Sequence, residues 1–177
     1  MSSNSSSLTP TATVADVPPT SRVWLRIVLL AVAGFESLIG LEEFSEAFDL
    51  HDAPLSFGQF VINARLAIHP FFAIGALVLA ALGYLRAAII VLAAYILAAW
   101  FSELPTIARF GIEWDWSPVG LSLLAQQLIF PPLAVAAIVL ACLDKRLWLG
   151  AIFVALPSAN LLLGVIIFTI AIMIYGF

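Results

Sequence analysis

From Val23 to Phe177 the chain is written almost wholly in residues that lipid tolerates, and the ionisable side chains set inside that apolar text are few: Glu36, Arg65, His69 and Glu103. Hydrophobic residues make up 63% of the chain and charged ones 10%, too little charge to cover the surface of a water-soluble domain of this size. A bilayer is the matching solvent. A charge held at bilayer depth is costly, so each one kept there needs a reason.

Breakers divide the apolar text into five segments, roughly 23–41, 57–84, 86–110, 117–142 and 147–175. Each meets the roughly 20 residues that carry a helix across a hydrocarbon core of about 30 Å. The spacing therefore predicts an all-α integral membrane protein, a single domain over 22–177 built as a bundle of about five transmembrane helices. The links at Gly83–Arg86 and Asp144–Arg146 are so short that their neighbours must run antiparallel. Between Gly40 and Phe57, acidic residues alternate with Leu41, Phe44, Ala47 and Phe48 at helical spacing, which predicts a short amphipathic segment along the outer surface after the first span. Small residues Ala73, Ala76, Ala80 and Gly83 on the second span, and Ala87, Ala94 and Ala98 on the third, predict a close helical hairpin.

Residues 1–21 are rich in Ser, Thr and Pro, lack apolar periodicity and read as a disordered tail. The stretch from Arg22 to Ala33 has some features of a signal peptide, but Arg26 interrupts its apolar run and apolar sequence continues to Leu41, so it reads as a retained first span. With the N-terminus inside, Arg22, Arg26, Arg86, Lys145 and Arg146 fall on the inner side and only Arg109 on the outer. That bias predicts a cytoplasmic N-terminus and an outside C-terminus, with a bacterial inner membrane as the expected location. Trp24 and Trp148 then fit an inner aromatic belt, Trp114 and Trp116 an outer one.

Every span carries a polar residue in its outer half. Glu36 is on the first, Arg65 and His69 on the second, Glu103 on the third, Gln126 and Gln127 on the fourth, and Asn160 on the fifth. Arg65 and His69 share a helical face, being four residues apart. Together these residues are the candidate ligand- or ion-binding set, and Arg65 is expected to pair with Glu36 or Glu103. Prolines follow the polar positions: Pro70, Pro105, Pro131, Pro132 and Pro157. A helix proline removes one donor and frees the carbonyl four residues back. The freed carbonyls are those of Leu66, Phe101, Gln127, Leu128 and Phe153.

Several chemistries find little support. Seven Lys and Arg, scattered along the chain with a net charge of −4, do not make a nucleic-acid surface. A lone cysteine, Cys142, excludes an intrachain disulfide and a cysteine-based metal site. Glu42, Glu46, Asp49, His51 and Asp52 form a weak candidate for a divalent cation, with no EF-hand or zinc spacing, and a solvated acidic face is the simpler reading. Haem on His69 would need a second axial ligand, for which only His51 or Met173 is present, and quinone rests on no motif. No phosphate loop, nucleophile elbow or metalloprotease motif occurs, so no enzyme activity is indicated. Three functions stay open. The leading one is an accessory or structural subunit of a larger membrane complex, with protein partners or further copies of itself in the lipid bilayer. The others are a self-contained proton- or ion-coupled transporter or channel on Glu36, Arg65, His69 and Glu103, and a membrane redox subunit holding haem or quinone.

Overall fold

The structure is a computed structural model that describes residues 19–47, 57–112 and 114–176, apart from the side chains of residues 19–21 and 46. Its elements are helices: α1 (Pro19–Glu46), α2 (Phe57–Ala81), α3 (Leu85–Phe110), α4 (Pro118–Leu124), α5 (Phe130–Cys142) and α6 (Leu147–Tyr175), with a π-helical segment, Ala125–Ile129, joining α4 to α5. Counting α4, the π segment and α5 as one continuous rod, five helices are long and apolar enough to cross a membrane. The all-α bundle expected from the sequence is therefore present, and the chain is a small polytopic membrane protein.

The first span differs from its sequence reading. Helix α1 begins at Pro19, inside the expected tail, and runs without a break to Glu46. Residues 40–46, expected to open an amphipathic helix extending the first span along the outer surface, are the last turns of α1 itself. The acidic composition of Glu42 to Glu46 reads as a breaker, but Glu is a good helix former and Gly40 is tolerated in mid-helix. The rest of that segment, and residues 1–18 of the tail, lie outside the described residues.

The chain turns tightly at two places on the same end of the bundle. After α2, Gly83 N–H bonds Ala80 O at 3.1 Å and Tyr84 N–H bonds Leu79 O at 2.8 Å, a Schellman closure with Gly83 at φ +85°. After α5, Asp144 N–H bonds Ala141 O at 3.2 Å and Lys145 N–H bonds Leu140 O at 3.0 Å. Asp144, at φ 54°, takes the left-handed position there, which Asp tolerates better than most residues. An Arg86–Asp144 ion pair ties the two turns together, and Arg26 donates to Ala81 O at the end of α2. At the opposite end, Ser117 caps α4 by accepting from Gly120 N–H at 3.0 Å, and Asp115 accepts from Ser117 N–H at 2.9 Å. The Ser117 hydroxyl and N–H, both donating to Asp115, hold its exposed carboxyl below its usual range.

The spans close into a ring: α1 packs on α2, α2 on α3, α3 on α5, α5 on α6, and α6 returns to α1. The half of the ring nearest the two tight turns is packed with small side chains. Ala33, Ala76, Ala80, Ala88, Ala93, Ala134 and Ala137 are fully buried there, around Leu29 and Ile89. Without a hydrophobic drive between helices in lipid, such close approach is what holds spans together. Of the small-residue face expected on the second span, Ala73, Ala76 and Ala80 are buried and Gly83 is exposed in the turn, whereas Ala87, Ala94 and Ala98 of α3 are only half-buried. The buried face of α3 is Ala88, Ile89, Leu92 and Ala93, beside the predicted stripe. Large apolar side chains stand exposed along every span, and Trp24, Trp114, Trp116 and Trp148 stand exposed near helix ends.

Candidate functional site

Beyond its alanine-packed half the ring opens around polar side chains. His69 occupies the middle of α2 and is 1% exposed. Its Nδ1 lies 2.8 Å from Glu43 Oε2 and its Nε2 lies 3.1 Å from Glu36 Oε2. Glu36 is bonded in turn through Oε1 by the hydroxyl of Ser158 on α6, at 2.5 Å. The ring of Tyr95 on α3 stacks on the imidazole, with centroids 4.0 Å apart and planes within 9°. A continuous polar chain, Glu43–His69–Glu36–Ser158, thus links α1, α2 and α6.

The local sequence explains this convergence. Glu36, Gly40 and Glu43 fall at i, i+4 and i+7, on one face of α1. Gly40 lets that face touch α2, since a β-carbon there would meet Pro70 N at 3.0 Å and His69 Cγ at 3.1 Å. The two carboxylates straddle the glycine and receive the two ring nitrogens.

Hydrogen-bond stoichiometry fixes a property of this trio. A neutral imidazole has one donor, and an ionised carboxylate has none. Two bonds from one imidazole to two carboxylates therefore need one proton more than a neutral histidine and two carboxylates carry, whether it sits on the ring or on a carboxyl. The trio then bears a single net negative charge.

Beside the trio lies a cavity of about 350 Å³. Six of the seven residues in the sequence-derived set line it: Glu36, Arg65, His69, Glu103, Gln126 and Gln127. The exception is Asn160, whose Nδ2 donates to Ser122 Oγ at 2.7 Å and ties α6 to α4. Leu92 and Val154 belong both to the alanine-rich core and to the lining, so they form the floor. Trp100 forms part of the wall and donates from Nε1 to Gln127 O at 3.0 Å. That carbonyl is one that Pro131 leaves without its helical donor. The π-helical segment lies over the same turn, with Phe130 N–H reaching back to Ala125 O. Such bulges re-aim side chains, and here the segment carries Gln126 and Gln127.

The expected pairing of Arg65 with Glu36 or Glu103 is not formed among the described residues. Glu36 is taken by His69 and Ser158, and neither Arg65 nor Glu103 forms an ion pair with another described residue. Arg65 Nε is buried without a hydrogen-bond partner among the described residues. Both ring nitrogens of His69 face carboxylates, so neither is free for iron, and Met173 is 81% exposed on α6. In the weak acidic metal set, Glu42 is exposed, while Asp49, His51, Asp52 and the side chain of Glu46 lie outside the described residues. Among the described residues no group of three His, Cys, Asp or Glu side chains has the arrangement of a metal site.

Sequence reasoning missed Glu43, Gly40, Tyr95, Trp100 and Ser158. The spacing of Glu36, Gly40 and Glu43 on one helical face was the available signal, obscured by reading Glu42 onward as a surface segment. Ser158 and Tyr95 carry no local signal, because only the packing of α6 and α3 brings them to Glu36 and His69.

Fold and site together define a five-span helical membrane protein with a largely apolar cavity among its helices, lined at a few points by polar and charged side chains. Comparison with protein-family models, curated proteins and solved structures found no match to this chain.

Proposed function

We propose that this protein binds a small ligand in the intramembrane cavity, with the Glu36–His69–Glu43 trio as a proton-holding wall of the site. The observation that carries this reading is the convergence of Arg65, Glu103, Gln126 and Gln127 on one cavity, where Arg65 Nε is buried without a hydrogen-bond partner among the described residues. A bundle needing only structural glue would pair such groups directly, because unpaired polar groups are expensive at this depth. Volume and lining, apolar with a few convergent polar groups, fit a small-molecule site. The alanine-packed half offers no polar path beyond Leu92 and Val154, which favours a site entered from one side over a pore.

The orientation we propose has the N-terminus and both tight turns inside. It is supported by the cations gathered at that end, Arg26, Arg86, Lys145 and Arg146. The cavity then lies in the outer half of the bilayer.

A second reading, an accessory subunit, draws on α6, whose residues from Leu161 onward are almost all exposed and apolar. Lipid covers such a helix equally well, so this reading ranks second. Native mass spectrometry of the gently extracted protein separates the two. The cavity reading expects a bound small-molecule mass that is lost when Ala99→Trp fills the lining. Stoichiometric partner chains, with no small mass in either form, would replace it with the subunit reading.

A further inference from the structure

The charges facing the cavity do not balance, and the residual charge has a definite place. The trio carries a single net negative charge, Arg65 a positive one and Glu103 a negative one, so the charged side chains lining the cavity sum to one net negative charge. Glu103 lines the cavity with no ion-pair partner among the described residues. A carboxylate at this depth stays ionised only beside a cation, and otherwise takes up a proton. The same wall presents the indole of Trp100 and the phenol ring of Tyr95, aromatic surfaces that attract cations. Gln126 and Gln127 add amide carbonyls.

The way in also bears on the ligand. Most of the lining is half-buried or buried, whereas Leu123, Gln126 and Leu161 are exposed. Leu123 and Gln126 lie well inside the fourth span, and Leu161 is the midpoint of α6. The mouth therefore opens sideways, within the depth of the helices, into what is lipid in the membrane. A ligand using it must partition into the bilayer.

From this we infer that the cavity takes a lipid-soluble organic cation, an aromatic or alkyl ammonium, with Glu103 as counter-ion and Trp100 as its aromatic face. The inference rests on the cavity reading above. Recognition is by charge and aromatic contact, with Glu103 as the lining carboxylate that has no ion-pair partner among the described residues.

The experiment uses the full-length protein in detergent and isothermal titration with three probes of similar size. They are benzyltrimethylammonium, its uncharged isostere neopentylbenzene, and benzenesulfonate. The expected result is binding of the cation at least about tenfold tighter than the isostere, a loss of about tenfold or more in Glu103→Gln, and no binding of the sulfonate. Glu103→Asp, which keeps the charge, should retain most of the preference and shows that the amide effect is not misfolding. Equal binding of cation and isostere, or cation binding unchanged in Glu103→Gln, overturns the inference. Preferred sulfonate binding that is lost in Arg65→Gln also overturns it, while leaving a ligand cavity in place. Binding of any probe that survives Ala99→Trp, or no binding of all three, removes the cavity reading itself.

Discussion

Gly40 and His69 meet across the α1–α2 interface with no room for a side chain between them: a β-carbon on Gly40 would lie 3.1 Å from His69 Cγ and 3.0 Å from Pro70 N. The neighbour on one side is backbone, which cannot swing away. Gly40→Ala should therefore push α1 from α2 where Glu36 and Glu43 grip the imidazole. The expected cost is about 1–3 kcal/mol of overpacking, only partly offset by the better helix propensity of Ala. Gly34 sits on the same helix with nothing within 4 Å of its β-carbon position. Gly34→Ala should be neutral or stabilising by up to about 1 kcal/mol. Thermal unfolding of both variants in the same detergent checks the contrast, and equal stabilities would mean that the close approach does not exist.

The trio's bonds predict a difference between isosteric and truncating changes. In Glu36→Gln the amide oxygen still accepts from Ser158, and the amide N–H₂ donates to Nε2 of a neutral His69 that donates to Glu43. Every polar group stays satisfied, and the extra proton is no longer required. Stability should fall by less than about 1 kcal/mol. Glu36→Ala leaves a buried imidazole nitrogen and the Ser158 hydroxyl without partners, at a cost of about 1–3 kcal/mol. Denaturant titration of the two variants tests this, and an amide variant as damaged as the alanine one would show that an ionic contact, not hydrogen bonding, holds the trio.

Much of this arrangement was readable from the chain. The apolar segments place the spans, and reading each span's polar residue by depth brought six of seven candidates to one cavity. Depth along a helix follows from sequence position, because the rise per residue is fixed. Rotation about the helix axis does not follow, and the misassigned partners come from that. Arg65 and His69 share a face, but which of them meets Glu36 depends on how α1 is turned against α2, and Gly40 decides it in favour of His69. Asn160 has the right depth and the wrong rotation, and so binds Ser122 rather than facing the cavity.

Trp100 and Pro131 should be energetically coupled through the carbonyl of Gln127. Pro131 withholds the helical donor from that carbonyl, and Trp100 Nε1 supplies one at 3.0 Å. Trp100→Phe should cost about 1 kcal/mol or somewhat more for the lost hydrogen bond to the part-buried carbonyl. Pro131→Ala returns a backbone N–H four residues on. In the Pro131→Ala background, Trp100→Phe should therefore cost clearly less. A double-mutant cycle by thermal unfolding measures the coupling, expected at about 0.5–1 kcal/mol. Strict additivity would mean that the indole contributes only its ring.

The proposed orientation is testable with the cysteine already present. Cys142 is exposed at the last residue of α5, beside the Asp144 turn and the cations of that end. With that end cytoplasmic, Cys142 should resist a membrane-impermeant maleimide in intact cells and react after permeabilisation. Trp116→Cys in a Cys142→Ser background places the thiol at the opposite end, where Trp116 is 77% exposed, and should label without permeabilisation. Reversed labelling of the two sites would invert the protein in the membrane. The cavity and its lateral mouth would then lie in the cytoplasmic half, and a cationic ligand would reach Glu103 from the inner leaflet.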